Sequence, residues 1–333
     1  MKLKPAGILV VVVIIAVLAY LAFKPKTAGP GDAEGTEYTT TTPGRDKAAA
    51  PDSPKTVPAE AKSDAREFNY VPEKPVNGTL KGVVEVGATG FNSFVINMDD
   101  QKRWEIVSKD FGESLTYEGL ATTEDIRSGL RKYLSKMFDK GVSKNNMHFV
   151  ISSGAQKEPK TKTISDELKK TGYVVNNVTP QQEAIFAFRA TVPPPFADNS
   201  FMIDIGSGNT KVSWEEDGRL KPLELPGAKY FEKSVSDETV YNEVKSKVTS
   251  IPENKRNVGF IIGGVPFMMA KQHRKGEERY TVLKAASDYK AADKRMGSGL
   301  NIYKAVVETT KTDTFVFDWD ANFTIGFLLS LNK

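Results

Sequence analysis

Two acid-glycine stretches and one helix-start glutamate are the parts of this chain best equipped for chemistry. The first stretch is Glu85-Val86-Gly87-Ala88-Thr89-Gly90, and the second is Asp204-Ile205-Gly206-Ser207-Gly208-Asn209-Thr210. Each reads as a small-residue turn joining two strands. Without a Cβ in the way, such a turn can aim consecutive backbone N–H groups at a phosphate. The candidate phosphate-binding positions are therefore Gly87, Ala88, Thr89 and Gly90 in one turn and Gly206, Ser207, Gly208, Asn209 and Thr210 in the other. The carboxylates that end the preceding strands, Glu85 and Asp204, are candidate Mg²⁺ ligands. They would act through water, because Mg²⁺ gives up its hydration shell reluctantly. An ordinary β-hairpin with a glycine turn remains the alternative for each stretch alone. Glu183 follows Thr179-Pro180, a plausible N-cap with proline at the first helical position. It either complements the helix dipole or serves as a general base aimed at a water.

The elements around these residues occur in a repeated order. Alternating apolar residues predict strands at 80–87, 91–98 and 103–107, followed by a helix from 122 to about 140. A strand at 148–152, a helix at 165–170, a strand at 173–178 and a helix at 180–189 come next. A second round starts at 200, with strands at 201–206, 209–214 and 219–223, a helix at 235–248 and a buried strand at 258–264. Helical patterns cover 266–272, 280–292 and 300–308, and a last strand lies at 315–317. The expected fold is α/β, with two ribonuclease-H-like lobes at 79–192 and 193–333 facing each other across a cleft. Such a duplication would set the two turns on opposite sides of one cleft, which strengthens the phosphate reading of both.

The 333 residues contain no cysteine and two histidines. Disulfides and thiol chemistry are excluded, and two histidines give no basis for a multi-histidine metal site. Net charge is +4 with both signs interspersed, which gives no support to nucleic-acid binding. Residues 6–23 form an uncharged apolar run flanked by Lys2, Lys4, Lys24 and Lys26. At about 1.5 Å per residue it would span about 27 Å, close to the hydrocarbon thickness of a bilayer. It is read as a single transmembrane anchor within 1–26, favoured over a cleaved signal peptide. The soluble part is expected outside the cytoplasm (periplasmic), with the cytoplasmic face as the alternative. Residues 27–78, rich in Pro, Ala and Thr, are read as a flexible tether.

The assembled pattern resembles the exopolyphosphatase / guanosine-pentaphosphate phosphatase family, within the actin-like ATPase and sugar-kinase superfamily. Asp204 to Thr210 is similar to that family's second phosphate loop, and Glu183-Ala184 stands where its base-bearing helix begins. Phe149-Val150-Ile151-Ser152-Ser153-Gly154-Ala155, Leu225-Pro226-Gly227-Ala228 and Asn322-Phe323-Thr324-Ile325-Gly326 match further elements in the family's order. Gly263 and Gly264 would sit in the superfamily's third glycine turn, where several members hold nucleotide. Glu85 departs from the family's aspartate, and Ser207 replaces a glycine. The resemblance implies Mg²⁺-dependent hydrolysis of a phosphoanhydride such as polyphosphate or a nucleotide. Glu183 would be the catalytic base, Glu85 and Asp204 the metal ligands, and Lys211, Lys229 and Arg189 candidates to line a polyanion track. The alternative is a non-catalytic actin-like module, binding a phosphate-containing small molecule or a protein partner in an envelope complex. Oligomeric state is not legible in the sequence.

Overall fold

The computed structural model describes residues 68–87, 90–111 and 122–331. The apolar run 6–23, the tether up to residue 67 and the loop residues Ala88 and Thr89 lie outside them. Among the described residues no helix is long and apolar enough to cross a membrane.

The first half opens with a three-strand meander, β1 (Thr79–Gly87), β2 (Gly90–Met98) and β3 (Trp104–Phe111). Then come α1 (Thr123–Asp139), β4 (Met147–Ile151), α2 (Pro159–Lys170), β5 (Val175–Asn177) and α3 (Pro180–Thr191). Thr122 starts α1 with a reciprocal capping box to Asp125. In the sheet, β4 and β5 continue parallel to β1, giving the order β3-β2-β1-β4-β5. The second half repeats this plan. It contains β6 (Ser200–Ile205), β7 (Asn209–Glu216), β8 (Arg219–Pro226), α4 (Asp237–Val248), β9 (Val258–Ile262) and α5 (Gly264–Lys271). It continues with β10 (Tyr280–Val282), α6 (Lys294–Thr310), β11 (Phe315–Asp318) and α7 (Phe323–Ser330). Its sheet order, β10-β11-β9-β6-β7-β8, matches the first with one antiparallel strand added at the edge.

Strand alternation divides the apolar residues among three cores. One face of the first sheet (Val84, Phe149) packs under α1 and α2 with Tyr133 and Leu168. One face of the second (Ile203, Val212) packs under α4 and α6 with Val244 and Tyr303. The remaining faces share a core: Val83 and Val150 from one sheet and Met202, Phe260 and Val316 from the other enclose α3 and α7 through Phe188, Ile325 and Leu328.

Several boundaries differ from the sequence reading. Residues 280–292, read as helix, instead hold β10 and a short 3-10 turn at Ala286–Asp288. Thr281 and Val282 are β-branched, and pairing with Phe317 and Val316 outweighs the helical pattern. The helix read at 165–170 begins earlier, at Pro159, with the proline at its start. The helix read at 300–308 starts at Lys294, where the Asp293 side chain accepts from Met296 N at 2.7 Å. Phe68 and Tyr70, within the segment read as tether, pack against Phe196 and Tyr280. Their aromatic area gives them a reason to dock that the surrounding polar residues lack.

Candidate functional site: a carboxylate cleft closed by a lysine

The alternation that puts Val83 and Met202 into the shared core also carries Glu85 and Asp204, two residues further on, to the same side. Both acids therefore stand near the ends of the first strand of their sheets, facing α3. In each hairpin the residue opposite the acid is seven positions later: Asn92 opposite Glu85, and Lys211 opposite Asp204. The two halves thus present equivalent acid–donor pairs. Glu85 Oε2 accepts from Asn92 Nδ2 at 2.9 Å and from Asn322 Nδ2 at 3.1 Å. Asn322 is also the N-cap of α7, its Oδ1 accepting from Thr324 N at 2.8 Å.

Glu183 arrives from α3. Thr179 Oγ1 accepts from Gln182 N at 3.2 Å and Gln182 Oε1 accepts from Thr179 N at 2.9 Å. This capping box, with Pro180 at the start, fixes the first turn and so the direction of Glu183. The Glu183 side chain is fully buried. Its Oε1 accepts from Ser153 N at 2.6 Å, and its Oε2 lies 2.8 Å from Lys211 Nζ. The second contact is an ion pair and not an aligned hydrogen bond. Lys211 Nζ also lies 3.9 Å from Asp204 Oδ2.

The electrostatics follow from this crowding. Loss of hydration pushes the Glu85 carboxyl above its ordinary range; the two amide donors oppose the shift, and the charges of Glu183 and Asp204 add to it. Asp204 is raised for the same first reason, against the pull of Lys211 and with help from Glu183. Burial alone would lower the Lys211 ammonium, but Asp204 and Glu183 together hold it above its ordinary value.

The glycine turns do different things. A Cβ on Gly206 would sit 2.7 Å from Asn209 O, so this bend requires glycine. The N–H groups of Ser207 and Gly208 have no acceptor among the described residues. Asn209 is tied sideways, its Nδ2 donating to Glu224 Oε1 at 2.8 Å. Thr210 is fully buried on the opposite face of β7 from Lys211, the face that carries Val212 and Trp214. Gly87 closes the first turn against Gly90, where a Cβ would lie 3.1 Å from Gly90 O. Gly263, at a φ of +112°, abuts the backbone of Ile205 and fixes how α5 meets β6, whereas Gly264 has open space beside it. Of the basic residues read as a polyanion track, Lys229 pairs with Glu232 at 3.0 Å and Arg189 donates to Ser330 Oγ at 2.5 Å. Lys211 faces the carboxylates.

The structure therefore brings Glu85, Glu183, Asp204 and Lys211 together, with the Gly206 bend beside them. Sequence reasoning missed the roles of Asn92, Asn322 and Ser153 and misjudged what Lys211 faces. The equal seven-residue spacing was the available signal for Asn92 and Lys211.

A divalent cation of the Mg²⁺ kind needs near-octahedral oxygen ligands at about 2.0–2.1 Å. Here an ammonium already sits on Glu183 and near Asp204, and Glu85 Oε2 is taken by two amides. Among the described residues no group of three or more His, Asp or Glu is arranged to hold a metal. These residues as arranged do not fit the ion.

No protein-family model and no curated protein matches this sequence. Solved structures do match. A Ppx/GppA family member from Aquifex aeolicus superposes with a TM-score of 0.58 at 14% identity, over 76% of this chain and 97% of that one. An exopolyphosphatase from Cytophaga hutchinsonii gives 0.55 at 13% identity, over 76% and 99%. At such identity the likeness is one of fold, and at that level the resemblance read from the sequence holds: this chain has the two-lobed α/β fold of the Ppx/GppA exopolyphosphatase structures.

Proposed function

We propose that this chain is a membrane-tethered binding module that uses the exopolyphosphatase fold without hydrolysing phosphoanhydrides. The observation that carries this reading is the state of Glu183. A general base must reach the proton it takes. Glu183 has no exposed surface, and its two oxygens are engaged by Ser153 N and the Lys211 ammonium. The apolar run 6–23 would hold the module at the membrane, with the folded part outside the cytoplasm as a member of an envelope assembly. The free N–H groups of Ser207 and Gly208 favour a phosphate-bearing small molecule as ligand.

The test is phosphate release from polyphosphate and from nucleoside triphosphates by the full chain in detergent, with and without Mg²⁺. The expected result is no release above the protein-free blank, identical in Glu183→Gln. Release that depends on Glu183 would overturn the proposal. It would favour the second reading, a phosphoanhydride hydrolase. That reading draws on the convergence of three acids and on Ser153 Oγ, a buried hydroxyl without a partner where a water could bind. For it to hold, Lys211 must first leave Glu183.

A further inference from the structure

We infer that the Lys211 ammonium is a built-in cation that takes the place of a divalent metal between Glu183 and Asp204. Its Nζ stands 2.8 Å from Glu183 Oε2 and 3.9 Å from Asp204 Oδ2, so one charge bridges acids from α3 and β6. The position is held from behind. Ser213, two residues along the same face of β7, donates from Oγ to Ala184 O at 2.8 Å. That bond fixes β7 against the first turn of α3, where Glu183 lies. Gly206 lies in front, where even a Cβ would only reach ordinary contact with Nζ, at 3.5 Å. The equivalent place in the first hairpin carries Asn92, whose neutral amide serves one carboxylate only. A second cation brought to Glu183 and Asp204 would meet the ammonium at contact distance, where like charges repel strongly in a buried site.

The inference concerns what fills the cleft and stands whether or not the chain hydrolyses anything, so its test reads metal binding alone. Mn²⁺ is titrated into the full chain in detergent and followed by electron paramagnetic resonance. The wild type is expected to bind no Mn²⁺ that Asp204→Asn removes. Lys211→Gln is expected to gain one such ion per chain and to lose it again in Lys211→Gln/Asp204→Asn. Should Lys211→Gln fail to fold, Lys211→Gln/Glu183→Gln neutralises one of the two acids left without a counter-charge and carries the same readout through Glu85 and Asp204. Asp204-dependent Mn²⁺ binding by the wild type equal to that of the variant overturns the inference. So does a folded Lys211 variant that gains no ion.

Discussion

Glu85 and Asp204 occupy equivalent places in the two halves, yet their partners differ in kind. Glu85 is held by neutral amides, and Asp204 shares an ammonium with a third acid. A buried ion pair adds little net stability compared with apolar packing, but removing one partner strands the other. Lys211→Met is therefore expected to cost about 3–5 kcal/mol in urea denaturation at neutral pH. Adding Glu183→Gln should restore part of that loss, because glutamine keeps an acceptor for Ser153 N without a charge, while Asp204 still lacks the ammonium. A double-variant loss equal to the sum of the Lys211→Met and Glu183→Gln losses would show that the pair is not coupled. Asp99 offers a pH prediction of the opposite electrostatic type. Burial would raise its carboxyl, but donation from Val76 N, the Arg103 side chain and Arg103 N brings it down to about 2. A carboxyl lowered in the fold stabilises it above the unfolded value of about 3.9 and loses that contribution as pH falls. The stability gap between wild type and Asp99→Asn should thus be full above pH 4 and close on acidification toward pH 2, read as urea midpoints across that range. A gap that does not change with pH would mean that the proton linkage is absent.

At the scale of elements, the site depends on how α3 meets α7, because α3 carries Glu183 and α7 begins with Asn322. The two helices touch at Gly326, where a Cβ would lie 1.7 Å from Phe186 O. Gly326→Ala must push the helices apart, and a loss of about 3 kcal/mol or more in thermal or urea unfolding is expected. Gly208→Ala is the contrast: nothing lies within 4 Å of its Cβ position, so its change should stay within about 0.5 kcal/mol. An undiminished Gly326→Ala protein would contradict the close crossing. The α7 segment also shows where sequence reading ran out. Phe323 to Leu329 is apolar almost throughout, so no 3.6-residue stripe marks it as a helix, and its burial on several sides explains why. The strands that carry Glu85 and Asp204 were legible because a period of two is short and both end in glycine-rich turns. Glu183 was legible from Thr179-Pro180. Asn322 reaches Glu85 from 237 positions away, a contact that only the return of α7 creates. Lys211 was visible as a residue but not as a partner, because its role depends on α3 lying over the same face of β7.

For the whole molecule, the two sheets are distinct as hydrogen-bonded objects but not as folding units. Their inner faces share the core around α3 and α7, where Val83 and Met202 belong to one buried cluster. Polar contacts reinforce the join: Arg279 stacks 4.2 Å from the centre of the Trp104 ring, Lys109 Nζ donates to Asp320 Oδ1 at 2.9 Å, and Lys102 Nζ donates to Leu331 O at 2.7 Å. Unfolding either half alone would expose the aliphatic and aromatic surface of the other. At about 25 cal/mol per Å² of apolar area, such exposure costs more than a marginal domain can spare. Native-state hydrogen exchange across increasing urea tests this. Amides of Val83 and Val84 in β1 and of Met202 and Ile203 in β6 should merge onto one isotherm with a single global free energy. Two separate plateaus, one for each sheet, would show that the halves open independently. The cleft acids would then be held by their own lobes and not by the shared core.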